Sequence, residues 1–290
     1  MTYQLLRRAP LHCLPTVVLL GLIGLLAGCS GNGSSVAHST EHFPVQTGFV
    51  EHHVTVDGQP KTVWVFVPPK FDPNRIYPAI LFLHGLFEQG NGGTNVLGAG
   101  LGPVIARNPD AWPFITIFPQ SDGTWQGEER EHLAMAALDD AEKRYPIDPD
   151  RVILAGLSYG GLGVWEIGAR HKDRFAALVP ISGQANTDLA DALAPLPAWV
   201  FASRADPWVL PDNSRQMCRA IQACGGHVTL TEFDGDAHDC WEMAVDESQL
   251  LPWMLSQRRD PLQASAAPIR SGTGGSRLQA AGRLRSINDP

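Results

Sequence analysis

Ser158, Asp206 and His238 are the residues whose types, order and flanks can do chemistry together. A serine hydroxyl is a poor nucleophile until a base removes its proton, and an imidazole base needs a carboxylate to fix its tautomer. Ser158 lies in Gly156-Leu157-Ser158-Tyr159-Gly160-Gly161, a G-x-S-x-G with an apolar run (152–155) before it and a helical pattern after it. That order predicts a sharp strand-to-helix turn, the nucleophile elbow, which lifts the hydroxyl above a sheet edge beside a helix N-terminus. Asp206 follows the apolar segment 198–202, and His238 follows 229–233, so each is expected in a loop at a strand end. The chain order Ser, Asp, His is the one this kind of turn accompanies. Asp234 and Asp236 share the loop of His238 and are assigned to turn formation. The oxyanion of an acyl-transfer intermediate calls for two converging N–H groups. Tyr159, next after the serine, supplies one. Leu86, in the His84-Gly85-Leu86 turn after the strand 79–83, is expected to supply the other, with His84 shaping that turn rather than reacting. Trp125, Trp208 and Trp241 fall in loops at the same sheet edge, where each either lines a substrate pocket or covers the core.

The elements that must position these residues read as a doubly wound α/β domain. Two alternating segments, 50–56 and 62–67, flank Asp57-Gly58 and predict an N-terminal β-hairpin. Buried strands are expected at 79–83, 114–118, 152–155, 176–181, 198–202 and 227–233, and helices at 128–144, after Ser158 to about 171, at 213–224 and at 244–256. Strands alternating with helices imply a mainly parallel sheet covered on both faces. About fifteen residues separate the strand ending at Ile181 from Trp199, too few for a large cap domain. The site is therefore expected to be open, as suits small-molecule or polymer esters.

Charge is unevenly placed along the 290 residues. Residues 1–28 carry two Arg and no acid, and 258–290 carry six Arg against two Asp, so a net charge of −8 leaves 29–257 at −14. An acidic body argues against nucleic acid as partner. Arg7, Arg8 and the short apolar run 17–26 form a leader that ends in Leu26-Ala27-Gly28-Cys29. Residues 29–44, rich in Gly, Ser and Asn, read as a flexible tether, 45–257 as the catalytic domain, and 258–290 as a disordered basic tail. Cys218, Cys224 and Cys240 remain in the body, an odd number with no metal spacing, and no disulfide is assigned. The acidic loop 234–239 lacks the glycine and terminal Glu of a calcium loop. No cofactor or metal is expected.

Several stretches stand in an order that resembles a known family: Leu83-His84-Gly85, Phe118-Pro119-Gln120, Asp148-Pro149-Asp150-Arg151-Val152, Gly156 to Gly161, and Gly235-Asp236-Ala237-His238-Asp239-Cys240-Trp241. They look like the α/β-hydrolase serine esterases of the predicted-peptidase and polyhydroxybutyrate-depolymerase or feruloyl-esterase type, over about residues 45–257. The resemblance implies a secreted serine carboxylesterase that forms an acyl-enzyme on Ser158. A prolyl-oligopeptidase-like serine peptidase and a non-catalytic binding protein on the same fold are the alternatives. Gln89, in Glu88-Gln89-Gly90, replaces an Arg common in that family. The leader resembles the lipobox of bacterial lipoproteins, which implies lipidation at Cys29 and attachment to the envelope, at the outer membrane.

Overall fold

The computed structural model describes residues 45–259 except 236 and 248. The leader, Cys29, the tether up to residue 44 and the tail from 260 on lie outside the described residues, as does Asp236. Within them the chain runs β1 (Gly48–Val56), β2 (Gln59–Val67), β3 (Tyr77–Leu83), α1 (Leu101–Arg107), β4 (Ile115–Pro119), α2 (Glu128–Arg144), β5 (Ile147–Leu157) and α3 (Tyr159–Arg170). It continues through β6 (Ala177–Ile181), α4 (Ala190–Leu193), β7 (Ala198–Ser203), α5 (Pro211–Ala223), β8 (Val228–Phe233), α6 (Trp241–Asp246) and α7 (Leu250–Ser256). The eight strands form one sheet in the order β1-β2-β4-β3-β5-β6-β7-β8, antiparallel at β1–β2 and β2–β4 and parallel from β4 to β8.

Local chemistry explains much of this. Asp57 (φ 50°) and Gly58 (φ 78°) both take the left-handed conformation that a two-residue hairpin turn demands. The central strands are buried on both faces, so they read as unbroken apolar runs. Their side chains still alternate: Ala79, Leu81 and Leu83 of β3 join one core with α2, α3, α4 and α5, whereas Ile80 and Phe82 join the other with α1, α6 and α7. Between β6 and β7 stand only a 3-10 turn (Thr187–Leu189) and the four-residue α4, so among the described residues this connection carries no cap domain.

Two expectations need correction. The single closing helix 244–256 is two helices, α6 and α7, broken around Glu247. Pro252 has no N–H and its ring clashes with the carbonyl four residues earlier, so it fits the first turn of a new helix and not the middle of a long one. Arg258 and Arg259, assigned to the tail, belong to the domain. Arg258 pairs with Asp148 at 2.8 Å and Arg259 with Asp150 at 2.6 Å, both on β5. The short α1 and α4 carry too few turns to show a periodicity in sequence. Among the described residues no helix is long and apolar enough to cross a membrane.

Candidate active site

Ser158 occupies the turn between β5 and α3 with φ 54° and ψ −113°, a conformation costly for a residue with a side chain. The surrounding backbone leaves it no alternative. A Cβ on Gly160 would lie 1.9 Å from the Leu83 carbonyl oxygen, and one on Gly156 would lie 2.6 Å from the Gly160 carbonyl carbon. Helix and strand meet at backbone contact, and the Ser158 N–H is tied to the Ile181 carbonyl at 2.8 Å. The serine thus stands at the N-terminus of the twelve-residue α3, whose first N–H groups have no intrahelical partner.

The parallel pairing of β7 with β8 brings the other two residues to it. Arg204 N–H donates to the Phe233 carbonyl and Ala205 N–H to that of Gly235, both at 3.0 Å, so the two post-strand loops are fastened side by side. His238 Nδ1 lies 2.7 Å from Asp206 Oδ2, and His238 Nε2 lies 2.8 Å from Ser158 Oγ. The other carboxylate oxygen, Asp206 Oδ1, accepts the N–H groups of Trp208 at 2.8 Å and Val209 at 3.0 Å. Asp206 is buried, and both of its carboxylate oxygens face donors. An acceptor-only carboxylate at Nδ1 puts the imidazole proton there and leaves Nε2 free to accept from Ser158. Asp234 is exposed and faces Arg204 at 3.3 Å rather than the imidazole. Beneath the histidine, Cys240 N–H donates to the His238 carbonyl at 3.1 Å, and its buried thiol meets Ser182 Oγ at 3.1 Å. Burial pushes that thiol's pKa up, so it stays protonated.

The turn after β3 is held from several sides. The Gly85 N–H donates to Glu88 Oε2 at 3.0 Å and is thereby unavailable, whereas the Leu86 N–H has no acceptor among the described residues. Leu86 and Tyr159 both line the same pocket wall as Ser158. His84 is buried; the Ser121 N–H donates to its Nε2 at 2.9 Å, which places the ring proton on Nδ1, 2.7 Å from the Gly85 carbonyl. Desolvation lowers its pKa to about 4, so it works as a neutral ring that shapes the turn. Gln120 completes the support by donating to the Glu88 carbonyl at 3.1 Å while accepting from the Gly92 N–H at 2.8 Å.

The pocket encloses about 400 Å³ above Ser158. Trp208 and Trp241 line it and flank the His238 ring at 5.1 and 6.0 Å between centroids. Trp125 does not line it, so the expectation that it could bind substrate there fails and its core-covering alternative holds. It is fully buried, its Nε1–H donates to the His84 carbonyl at 2.9 Å, and its ring fills the space over Gly163. An indole whose one polar atom has a partner below the surface packs inward. Phe87, Glu88, Leu162 and Gln184 also line the pocket and went unassigned. Of these only Glu88 left a signal in sequence, since an acid three residues past a glycine can close a turn onto that N–H.

The model of the prolyl oligopeptidase family matches residues 125–224. A dipeptidyl-peptidase 5 of Porphyromonas gingivalis is 32% identical over 145 residues, covering 47% of this chain and 21% of that protein. The chain thus spans about a fifth to a quarter of the length of the first curated relatives it matches. Among solved structures, a thermostable esterase superposes with a TM-score of 0.61 at 25% identity, covering 73% of this chain and 63% of that one. A ferulic acid esterase superposes with a TM-score of 0.58 at 20% identity, covering 72% of this chain and 98% of that one.

Proposed function

We propose that this serine hydrolase of the α/β-hydrolase fold is a carboxylesterase, with Ser158 as nucleophile, His238 as general base and acid, and Asp206 as the orienting carboxylate. The observation that carries the reading is the bonded relay from Asp206 through His238 to Ser158, which opens on a pocket lined also by Leu86 and Tyr159. In this mechanism Ser158 Oγ attacks the ester carbonyl carbon as His238 Nε2 takes the hydroxyl proton. The resulting oxyanion accepts the N–H groups of Leu86 and Tyr159. The carbon–oxygen bond to the alcohol then breaks, and the alcohol leaves with the proton from His238. Water, deprotonated by the same imidazole, releases the acid from the acyl-enzyme and restores the serine.

The peptidase reading rests on the match to the prolyl oligopeptidase family and on the dipeptidyl-peptidase relative. An amide needs stronger protonation of its leaving group, and a pocket with no cap domain over it among the described residues suits esters of bulky molecules or polymers. A fluorophosphonate probe should label the native chain and not Ser158→Ala. A panel of nitrophenyl, feruloyl and acetyl-sugar esters, run beside dipeptide nitroanilides, should show turnover of esters far above that of amides. Faster cleavage of the anilides would favour the peptidase. For the leader we propose cleavage before Cys29 and lipidation of that residue, placing the domain at the bacterial envelope.

A further inference from the structure

The pocket wall holds more than acyl transfer needs. Glu88, partly buried, lines it, with Oε2 accepting from the Gly85 N–H at 3.0 Å. It is the one carboxylate among the described lining residues, and none of them is Lys or Arg. The same pocket is lined by the aromatic residues Phe87, Tyr159, Trp208 and Trp241. Phe87 and Trp208 are 73% and 66% exposed with centroids 6.3 Å apart, so these two rings face the pocket mouth instead of covering core. Large apolar side chains left in water beside a site mark a surface that a ligand covers.

A purely apolar acyl group would be badly served by this wall, because seating it would strip water from a carboxylate that has no cation beside it in the pocket lining. A pocket lined by one carboxylate and several aromatic rings instead suits an alkylammonium group. The negative oxygen and the negative ring faces attract the same cation, and the methyl or methylene groups bury apolar area. Charge over longer range agrees, since residues 45–259 carry −11 and draw cations toward the domain. We propose that the pocket contains a subsite for a positively charged alkylammonium group of the substrate, with Glu88 as its counter-ion and Phe87 and Trp208 as its aromatic walls. The proposal rests on the esterase reading and narrows its substrates to esters that carry an ammonium near the scissile carbonyl. Burial raises the Glu88 pKa, and a bound cation would reverse that by favouring the ionised carboxylate.

The test compares butyrylcholine with 3,3-dimethylbutyl butyrate, the same ester with carbon in place of the charged nitrogen, on the full chain. The expected result is a kcat/KM about tenfold or more in favour of the cationic ester. Glu88→Gln keeps an acceptor for the Gly85 N–H and should bring the ratio to within about twofold. A role for Glu88 confined to the turn would lower both esters together and leave their ratio intact. Phe87→Leu, at an exposed position, should shrink the preference severalfold and decides the matter if Glu88→Gln does not fold. Binding of choline against 3,3-dimethyl-1-butanol, followed by tryptophan fluorescence of Ser158→Ala, reports the subsite without turnover. Equal binding of the pair, or a preference that survives both substitutions, overturns the subsite. Selective choline binding with no turnover of any ester would strike the esterase reading and leave the subsite standing.

Discussion

Asp206→Asn isolates one proton. In the native site the carboxylate accepts three hydrogen bonds, from the N–H groups of Trp208 and Val209 on Oδ1 and from His238 Nδ1 on Oδ2. An asparagine can meet these demands in only one orientation. Turning its amide nitrogen toward Trp208 and Val209 would set donor against two donors, losing two bonds worth about 1 kcal/mol each and leaving buried N–H groups unpaired. The amide oxygen therefore keeps the two backbone donors, and the NH₂ faces His238 Nδ1. That nitrogen must then accept, which moves the ring proton to Nε2, where it points at Ser158 Oγ. A protonated Nε2 cannot take the serine's proton. In another serine hydrolase the equivalent exchange lowers kcat by roughly 10⁴, about 5.5 kcal/mol in the barrier, and a similar loss is expected here. Thermal unfolding should move by only a few degrees, because volume and backbone bonds are kept. Kinetics on a nitrophenyl ester, with active-site titration to count competent serines, gives the measurement. If Asp206→Asn keeps kcat within tenfold while Asp234→Asn abolishes it, the assignment of the carboxylate is wrong.

Three further outcomes are expected. Gly160→Ala should prevent folding or cost several kcal/mol in urea denaturation, since its Cβ would sit 1.9 Å from the Leu83 carbonyl oxygen and neither partner is a movable side chain. His84, held near 4 against an ordinary 6.5, stays neutral in the fold while the unfolded chain takes up its proton. Native stability is thus lost as pH falls from about 6.5 toward 4, by roughly 3 kcal/mol. Because the raised Glu88 pKa pushes the other way, the observable is the stability gap between the native chain and His84→Gln, which should narrow across that window; a constant gap would refute it. Cys29→Ala should leave the protein unprocessed or released from membranes on fractionation, and an unchanged membrane fraction would refute lipidation there.

The elbow at Ser158, the hairpin at Asp57-Gly58 and the extent of α2 were legible residue by residue, because each depends on chemistry within a few positions: a turn that only small or left-handed residues tolerate, or an apolar stripe closed by a proline. Asp206 and His238 could be nominated from strand ends and chain order. Their 2.7 Å contact is a tertiary product, set by the β7–β8 register and by the loop bonds from Arg204 and Ala205. Trp125 and Trp208 show the same division. Nothing local separates Trp125, buried under the His84 carbonyl, from Trp208, open at the pocket mouth. Which face of a loop meets water is decided by the elements packed against it, and those are distant in sequence. Glu88 belongs with them, since its place in the pocket wall exists only once β3 and β5 lie side by side and bring its turn against Ser158.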